Sequence, residues 1–193
     1  MKERLLMLVF VVVLGSVLTG ALIAVNYYTA PMIEKNEEIT IKSSVLQALG
    51  IGFAAEDLEH TFAENVQEQL TDGRTFYISS AQDIAFVYGG SGLWGPIQGV
   101  IAIRPDLKTL MGVTITRQEE TPGLGSRISK EDYLNRFVGM TFVPQIMIVQ
   151  PGRSVRDNEI DAITGATLTS NAFIAILNHQ LDEHVSILKG GRE

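Results

Sequence analysis

Asp161-Ala162-Ile163-Thr164-Gly165-Ala166-Thr167-Leu168-Thr169-Ser170 is a turn rich in small and hydroxyl residues. The segment that follows, residues 172–188, has apolar residues at helical spacing. The pattern therefore predicts a turn that leads into a long helix. The first N–H groups of a helix lack intrahelical partners and lie at the positive end of its dipole, which favours anions such as phosphate. A threonine hydroxyl in such a turn can carry a phosphoryl group covalently. The alternative is simple capping of a helix that begins near Thr169 or Ser170, because both residue types are common N-caps. Spacing alone leaves the two interpretations level.

Upstream of this turn, the residue pattern predicts a mixture of strands and helices. Strands are predicted at 75–78, 84–88, 97–103, 109–116 and 141–149, with a tight connection at 107–109 that makes a hairpin. Helices are predicted at 33–49, 55–70 and 130–137, and Pro31 predicts a break before the first of them. Strands followed by a long helix favour an α+β domain with a mainly antiparallel, twisted sheet flanked by helices.

The N-terminal segment predicts a single transmembrane helix. Residues 5–25 are 21 in number and include no charged side chain, against roughly 20 needed to cross a ~30 Å hydrocarbon core. Lys2 and Arg4 precede the segment and residues 34–38 are acidic overall, so the N-terminus is expected in the cytoplasm and the remainder outside. The alternative is a cleaved signal peptide, whose apolar core is usually shorter, roughly 7–15 residues. We therefore predict an anchor at 1–30, a helical connector at 31–70 and an extracytoplasmic domain at 71–193.

Composition excludes several classes of site and partner. The chain has no cysteine, which excludes disulfides, thiolate zinc sites and iron–sulfur clusters within it. A formal charge of −7 argues against nucleic acid as a partner. His179 and His184 are five residues apart and fall on different helix faces. No metalloprotease, Walker A or nucleophile-elbow motif occurs, so we expect neither a metal nor a catalytic residue.

Two further glycine-bearing loops adjoin predicted strands, so they and the 161–170 turn are expected to meet at one end of the sheet. Residues 89–96 include the only tryptophan, Trp94, which either plugs the core or forms a flat wall beside a planar ligand. Residues 118–125 are either a surface turn, with a type II geometry set by Pro122-Gly123, or a polar contact loop. In the second case Glu119 or Glu120 and free N–H groups hold the polar edges of a ring.

At these three loops the chain resembles the FMN-binding subunits of two ion-pumping respiratory complexes. These are RnfG, from the Rnf complex, and NqrC, from the sodium-translocating NADH:quinone reductase. The resemblance covers nearly the whole chain and rests on residues 92–97, 120–125 and 161–170. The family's flavinylation pattern is Asp, two variable residues, Ser or Thr, Gly, Ala, Thr, and it is matched here at every fixed position by Asp161, Thr164, Gly165, Ala166 and Thr167.

The resemblance implies a covalent cofactor. Thr167 would carry FMN through a phosphoester bond, installed by a separate flavin transferase with FAD as donor, and Asp161, Thr164 and Gly165 would be its recognition elements. Trp94 and Leu124 are the candidates for packing near the isoalloxazine ring, and Glu120 and Thr121 for polar contacts. The rest of the expected cofactor-binding set comprises Gly123, Ala166, Leu168, Thr169 and Ser170.

The function implied is that of an electron-relay subunit in a membrane-bound, Na⁺- or H⁺-translocating oxidoreductase, inactive alone. Its expected partners are the lipid bilayer, the flavin transferase and other membrane subunits, including a second flavin-carrying subunit. The compact length favours the Rnf ferredoxin:NAD⁺ oxidoreductase, whereas Gly92-Leu93-Trp94-Gly95 resembles the quinone reductase more. Two functions of other classes stay open: a stand-alone, membrane-anchored extracellular flavin reductase and a non-redox binding module.

Overall fold

The computed structural model describes residues 2–190 and has an α+β architecture, as predicted. The helices are α1 (Lys2–Ala48), α2 (Leu58–Asn65), α3 (Glu131–Leu134) and α4 (Thr167–Gly190). The strands are β1 (Val66–Thr71), β2 (Arg74–Ser79), β3 (Ile84–Ser91), β4 (Pro96–Ile103), β5 (Leu110–Arg117), β6 (Met147–Val149) and β7 (Glu159–Asp161). Three short 3-10 helices lie at Ala55–Asp57, Gly125–Ser129 and Asn135–Phe137.

The main sheet is an antiparallel meander with strand order β1-β2-β3-β4-β5. A second, two-stranded sheet pairs β6 with β7 in parallel, with Val149 opposite Asp161. This small sheet carries the chain into the turn before α4. The mainly antiparallel arrangement expected from the sequence is therefore confirmed.

Side chains alternate across the main sheet and build a core on each face. Phe86 of β3 packs on one face with Phe173, Leu177 and Leu181 of α4. Its neighbour Ala85 packs on the other face, with a cluster from the end of α1, α2 and β2 that includes Val45, Leu46, Phe62 and Tyr77. The alternation is that of a pleated strand covered on both sides, with α4 packed against one of the two faces.

Several sequence predictions for helices were wrong in detail. The predicted helix at 55–70 ends at Asn65, because residues 66–71 pair with β2 as an edge strand. Tertiary pairing outweighs local propensity in such short polar segments. The predicted break at Pro31 is absent, since α1 continues through that residue. Helix α1 does stop as expected at Gly50 (φ +68°), where the N–H groups of Gly50 and Ile51 donate to the carbonyls of Gln47 and Leu46.

Two further differences lie near the functional turn. Only Met147–Val149 of the predicted 141–149 strand is extended within a sheet, and β7 was not predicted. Helix α4 begins at Thr167, two or three residues earlier than the expected N-caps. The threonine and serine at 169 and 170 therefore lie inside its first turn instead of capping it.

By contact density the chain divides into two compact units after Ile39. Within the N-terminal unit, the apolar side chains of residues 5–25 are exposed. In the described part of the chain, α1 is the one helix long and apolar enough to cross a membrane, by length and composition.

Candidate functional site

The first turn of α4 presents an open helix N-terminus. The first i→i+4 hydrogen bond runs from the Ser170 N–H to the Ala166 carbonyl at 2.9 Å, so the N–H groups of Thr167, Leu168 and Thr169 have no intrahelical acceptor. Ala166, the residue before the helix, has no side-chain oxygen that could accept hydrogen bonds from these N–H groups. Gly165 has φ +81° and lets the chain turn sharply into the helix. The turn is thus built without the usual cap.

The four hydroxyl residues of the turn divide into two pairs. Thr169 is buried and donates to Glu120 Oε2 at 2.7 Å. Ser170 is buried, donates to the Ala166 carbonyl at 2.9 Å and accepts from the Ile163 N–H at 3.1 Å. Thr164 and Thr167 are exposed. Within residues 2–190 no side-chain hydrogen bond occupies the Thr167 hydroxyl, which leaves it available for chemistry.

Glu120 joins the three loops singled out in the sequence. It is only 4% exposed, and its Oε1 accepts from the backbone N–H groups of Leu93 and Trp94 at 2.7 and 3.2 Å. Its Oε2 accepts from the Thr169 hydroxyl. The predicted meeting of the loops at one place is therefore correct, and these contacts within the protein occupy both Glu120 oxygens.

Glycines allow this close approach. A Cβ at Gly125 would lie 2.7 Å from Thr169 Oγ1 and 2.9 Å from Glu120 Oε2, and one at Gly92 would collide with Glu120 Oε1. Gly123 has φ +77° and the Leu124 N–H donates to the Thr121 carbonyl at 3.1 Å, which agrees with the predicted type II turn. Gly92 and Gly125 thus allow the close packing around the Glu120 carboxyl group.

Asp161 holds the loop that precedes β7. Its Oδ1 accepts from the N–H groups of Arg153 and Ser154 at 2.9 and 3.0 Å, and its Oδ2 lies 3.7 Å from Arg136 Nη1. Partial burial opposes ionisation. The N–H groups of Ser154 and Arg153 and the Arg136 guanidinium outweigh it and lower the pKa of Asp161 below its ordinary value. Asp161 is therefore a charged anchor for neighbouring backbone.

An open groove of about 640 Å³ runs beside Thr167, and we call it the Thr167 groove. Among its described lining residues, Arg153 is the only one with a charged side chain. The residues that matter for the argument are Val149, Pro151, Arg153, Gly165, Thr167 and Asn171. Its volume lies in the usual range for small-ligand sites, and it combines an exposed hydroxyl, free helix N–H groups and one cation.

A second cavity of about 400 Å³ shares Pro151, Ala162 and Thr164 with the Thr167 groove. Arg127, Lys130 and Arg136 line it together with Asp132 and Asp161. Arg127 Nη1 donates to the Thr164 carbonyl at 3.0 Å and so supports the turn. Tyr133 also lines the cavity, and burial raises its pKa to about 12, so it adds no charge.

Apolar side chains next to the turn face solvent. Trp94 is 73% exposed and Leu168 65% exposed, which excludes the interpretation of Trp94 as a core plug. Leu124 lies against Gly165, with its Cδ2 3.6 Å from where a Cβ would stand. Trp94, Leu124 and Thr121 are outside the Thr167 groove, and contacts between a ring and these residues stay predictions.

Sequence reasoning missed four polar residues around the turn: Arg127, Arg136, Arg153 and Asn171. Asn171 follows Thr167 by one helical turn, so the 3.6-residue period was a signal for it. Arg127 and Arg136 come from two different 3-10 helices and Arg153 from the loop before β7, so the three share no periodic signal. FMN has an anionic phosphate and a planar aromatic ring. The exposed hydroxyl, the free N–H groups and the single cation suit the phosphate, and the solvent-facing Trp94 and Leu168 suit the ring.

Comparison with known proteins gives a consistent result. The model of the FMN-binding domain family matches residues 92–182, which include residues 92–96 of the first loop and the whole of the other two. The NqrC subunit of the Na⁺-translocating NADH-quinone reductase of Vibrio campbellii is 28% identical, over 76% of this chain and 61% of its own length. The RnfG subunit of the Na⁺-translocating ferredoxin:NAD⁺ oxidoreductase complex of Acetobacterium woodii is also 28% identical, over 92% of this chain and 89% of its own.

The fold has a solved counterpart. The crystal structure of the NqrC subunit of the Na⁺-translocating NADH-quinone reductase from Parabacteroides distasonis superposes with a TM-score of 0.71, at 24% identity, over 81% of this chain and 95% of that one. The chain spans about three fifths of the Vibrio protein and about nine tenths of the Acetobacterium protein. The chain therefore contains a region that matches the FMN-binding domain family, and it is similar in sequence to the NqrC and RnfG subunits named above.

Proposed function

We propose that the chain is an electron-relay subunit of a membrane-bound, ion-translocating oxidoreductase and that it carries FMN on Thr167. The observation that carries the proposal is the division of hydroxyls in the turn. Thr169 and Ser170 are buried and hydrogen-bonded, whereas Thr167 is exposed in a groove with free helix N–H groups. Of the two hydroxyls left exposed, Thr167 is the one at the threonine position of the flavinylation pattern.

The attachment step balances without any redox change. A flavin transferase with FAD as donor would join Thr167 Oγ to the phosphorus of the FMN half. The same step breaks the bond between the two phosphates, releases AMP and passes the hydroxyl proton to the transferase. Backbone N–H groups at the start of α4 then offset the charge of the phosphoester. Thr167 is an attachment point and not a catalytic residue.

The bound flavin would supply electron transfer, and the chain's own residues would set its surroundings. Glu120 fixes the loop that carries Leu93 and Trp94 against α4. The exposed Trp94, Leu124 and Leu168 offer apolar surface for a planar ring. A covalent bond at Thr167 removes dissociation, so affinity no longer limits occupancy.

Among the two complexes, we favour a ferredoxin:NAD⁺ oxidoreductase of the Rnf type, with the domain outside the membrane and α1 as anchor. Alignment over 89% of the Acetobacterium protein, against 61% of the Vibrio protein, supports this choice. Co-purification tests it. An affinity-tagged full chain should bring down membrane subunits with ferredoxin:NAD⁺ oxidoreductase activity, and recovery of NADH:quinone reductase activity would overturn the assignment.

Flavin attachment is tested by co-expressing the full chain with a flavin transferase. The wild type and Thr167→Ser are expected to fluoresce in denaturing gels, and Thr167→Ala is expected to lose the signal completely while keeping its fold. Covalent flavin in Thr167→Ala would refute the linkage. Thr75→Ala is a matched control, because it removes another exposed threonine hydroxyl that lies outside the groove and outside the expected flavin-binding set.

Two functions of other classes make different predictions. A stand-alone flavin reductase would reduce an external acceptor when purified alone, whereas a relay subunit would be active only with its complex. A non-redox binding module would stay colourless after co-expression with the transferase.

A further inference from the structure

We propose that Arg153 is the cation that pairs with the flavin phosphate beside Thr167, and that Asp161 is a positioning residue that holds Arg153 there. This inference rests on the proposed function, since it concerns the phosphate of FMN in the same groove. It assigns a counter-ion to the site and a structural role to the first residue of the flavinylation pattern.

The first observation that supports the pairing is the charge of the Thr167 groove. Arg153 is the only charged side chain among its described lining residues, in a protein with 22 acidic and 15 basic residues. A guanidinium makes charge-assisted and often bidentate hydrogen bonds to phosphate. The helix N–H groups contribute partial charges only, so Arg153 is the full positive charge available to a phosphate in this groove.

The second observation is that Asp161 holds the backbone around Arg153. The Arg153 N–H donates to Asp161 Oδ1 at 2.9 Å and also lies 3.0 Å from the Gln150 carbonyl. The Ser154 N–H donates to the same Asp161 oxygen at 3.0 Å. Asp161 lies on β7, directly opposite Val149 of β6. One carboxylate oxygen on a paired strand therefore fixes the loop in which Arg153 stands.

The third observation is that the Asp161 side chain does not line the Thr167 groove. Asp161 lines the second cavity, with Arg127 and Arg136, and is not among the residues that line the Thr167 groove. Its carboxylate therefore acts on the groove through the Arg153 loop. Arg156 in the same loop is a natural control, because its guanidinium lies 3.6 Å from Glu159, its side chain is 78% exposed and it does not line the groove.

The test measures non-covalent binding of FMN and of riboflavin, which lacks the phosphate, by flavin fluorescence. The protein is the full chain in detergent, made without flavin transferase. The ratio of the two affinities isolates the phosphate contact. We expect the wild type to prefer FMN, Arg153→Gln to lower the ratio about tenfold, and Arg153→Lys to keep part of it. Arg156→Gln is expected to leave the ratio unchanged.

The positioning role has its own readout. Asp161→Ala is expected to lower the ratio as Arg153→Gln does, and the double variant is expected to lose no more than either single variant. Asp161→Asn is expected to keep the ratio, because one amide oxygen can still accept both N–H bonds. Losses that add in the double variant would overturn the positioning role.

Three results would overturn the pairing itself: equal affinity of the wild type for FMN and riboflavin, equal effects of Arg153→Gln and Arg156→Gln, or a parallel loss of FMN and riboflavin binding in Arg153→Gln. The covalent linkage is judged separately, by fluorescence in denaturing gels. Covalent flavin retained in Thr167→Ala, with a normal FMN-to-riboflavin ratio in the wild type, would refute the linkage and leave the Arg153 contact standing, so the two failures are distinguishable.

Discussion

The two ends of helix α4 use polar side chains in opposite ways. In the first turn, the Thr167 hydroxyl is exposed and has no hydrogen-bond partner among residues 2–190. It lies beside backbone N–H groups that lack acceptors within the helix. Further along, Asn178 makes two hydrogen bonds to the Ile146 backbone at 2.8 and 2.9 Å. His184 is buried, donates to the Gln180 carbonyl and stacks on Phe86 at 4.1 Å. At the far end, Asn178 and His184 are thus satisfied within the fold, whereas the Thr167 hydroxyl at the start of the helix is left open.

The largest expected effect on stability is at Glu120, where the fold meets the site. Glu120→Ala leaves the N–H groups of Leu93 and Trp94 and the Thr169 hydroxyl without an acceptor, and is expected to cost about 3 kcal/mol. Urea unfolding of the full chain in detergent measures it. Glu119→Ala removes an exposed neighbour and is expected to change the free energy of unfolding by less than ~0.5 kcal/mol. Equal losses in both variants would contradict the junction role of Glu120.

At the far end, Asn178→Ala tests whether polar groups there serve the fold alone. It leaves the N–H and carbonyl of the buried Ile146 unpaired and is expected to cost about 2 kcal/mol. Covalent flavin per folded chain should be unchanged, as read from fluorescence in denaturing gels. His179→Ala, at an exposed position of the same helix, is the control for helix propensity.

The sharpest form of the comparison lies within the first turn. Ser170→Ala removes the acceptor of the Ile163 N–H and is expected to cost about 1 kcal/mol while keeping flavin attachment. Thr167→Ala is expected to change the free energy of unfolding by less than ~0.5 kcal/mol while abolishing attachment. Equal stability losses in the two variants would remove the distinction between the two hydroxyl pairs.

The smallest expected effect is a pH dependence at His184. Burial, and then the nearby Arg74 charge, lower its pKa below 6.5, against the opposing effects of the Gln180 carbonyl and Glu183. The unfolded chain therefore takes up a proton first as the pH falls through 6.5, and the free energy of unfolding decreases from there downward. His184→Gln should flatten this decrease, and the exposed His60→Gln should not. A stability that rises on acidification through this range would contradict the assignment.

Much of the fold followed from the distribution of apolar residues. The strands β2 to β5 were predicted from short apolar runs next to turn signals, and the long helix α4 from apolar residues that repeat with the helical period. The edge strand β1 was missed because most of its residues are polar and exposed, so they give no hydrophobic signal for a strand. The start of α4 was misplaced, since Thr169 and Ser170 resemble caps in sequence and are buried only because Glu120 and Ile163 lie next to them.

The sequence by itself determined the order of the main elements and the pattern Asp161, Thr164, Gly165, Ala166 and Thr167, because local spacing and residue type are written along the chain. Only the tertiary structure decided which hydroxyl is free, which carboxyl group joins the loops and which arginine lines the groove. Glu120 and Thr169 are 49 positions apart, and Arg153 reaches the groove through a loop held from β7. Such contacts depend on how the sheet and α4 pack together, which no local pattern specifies.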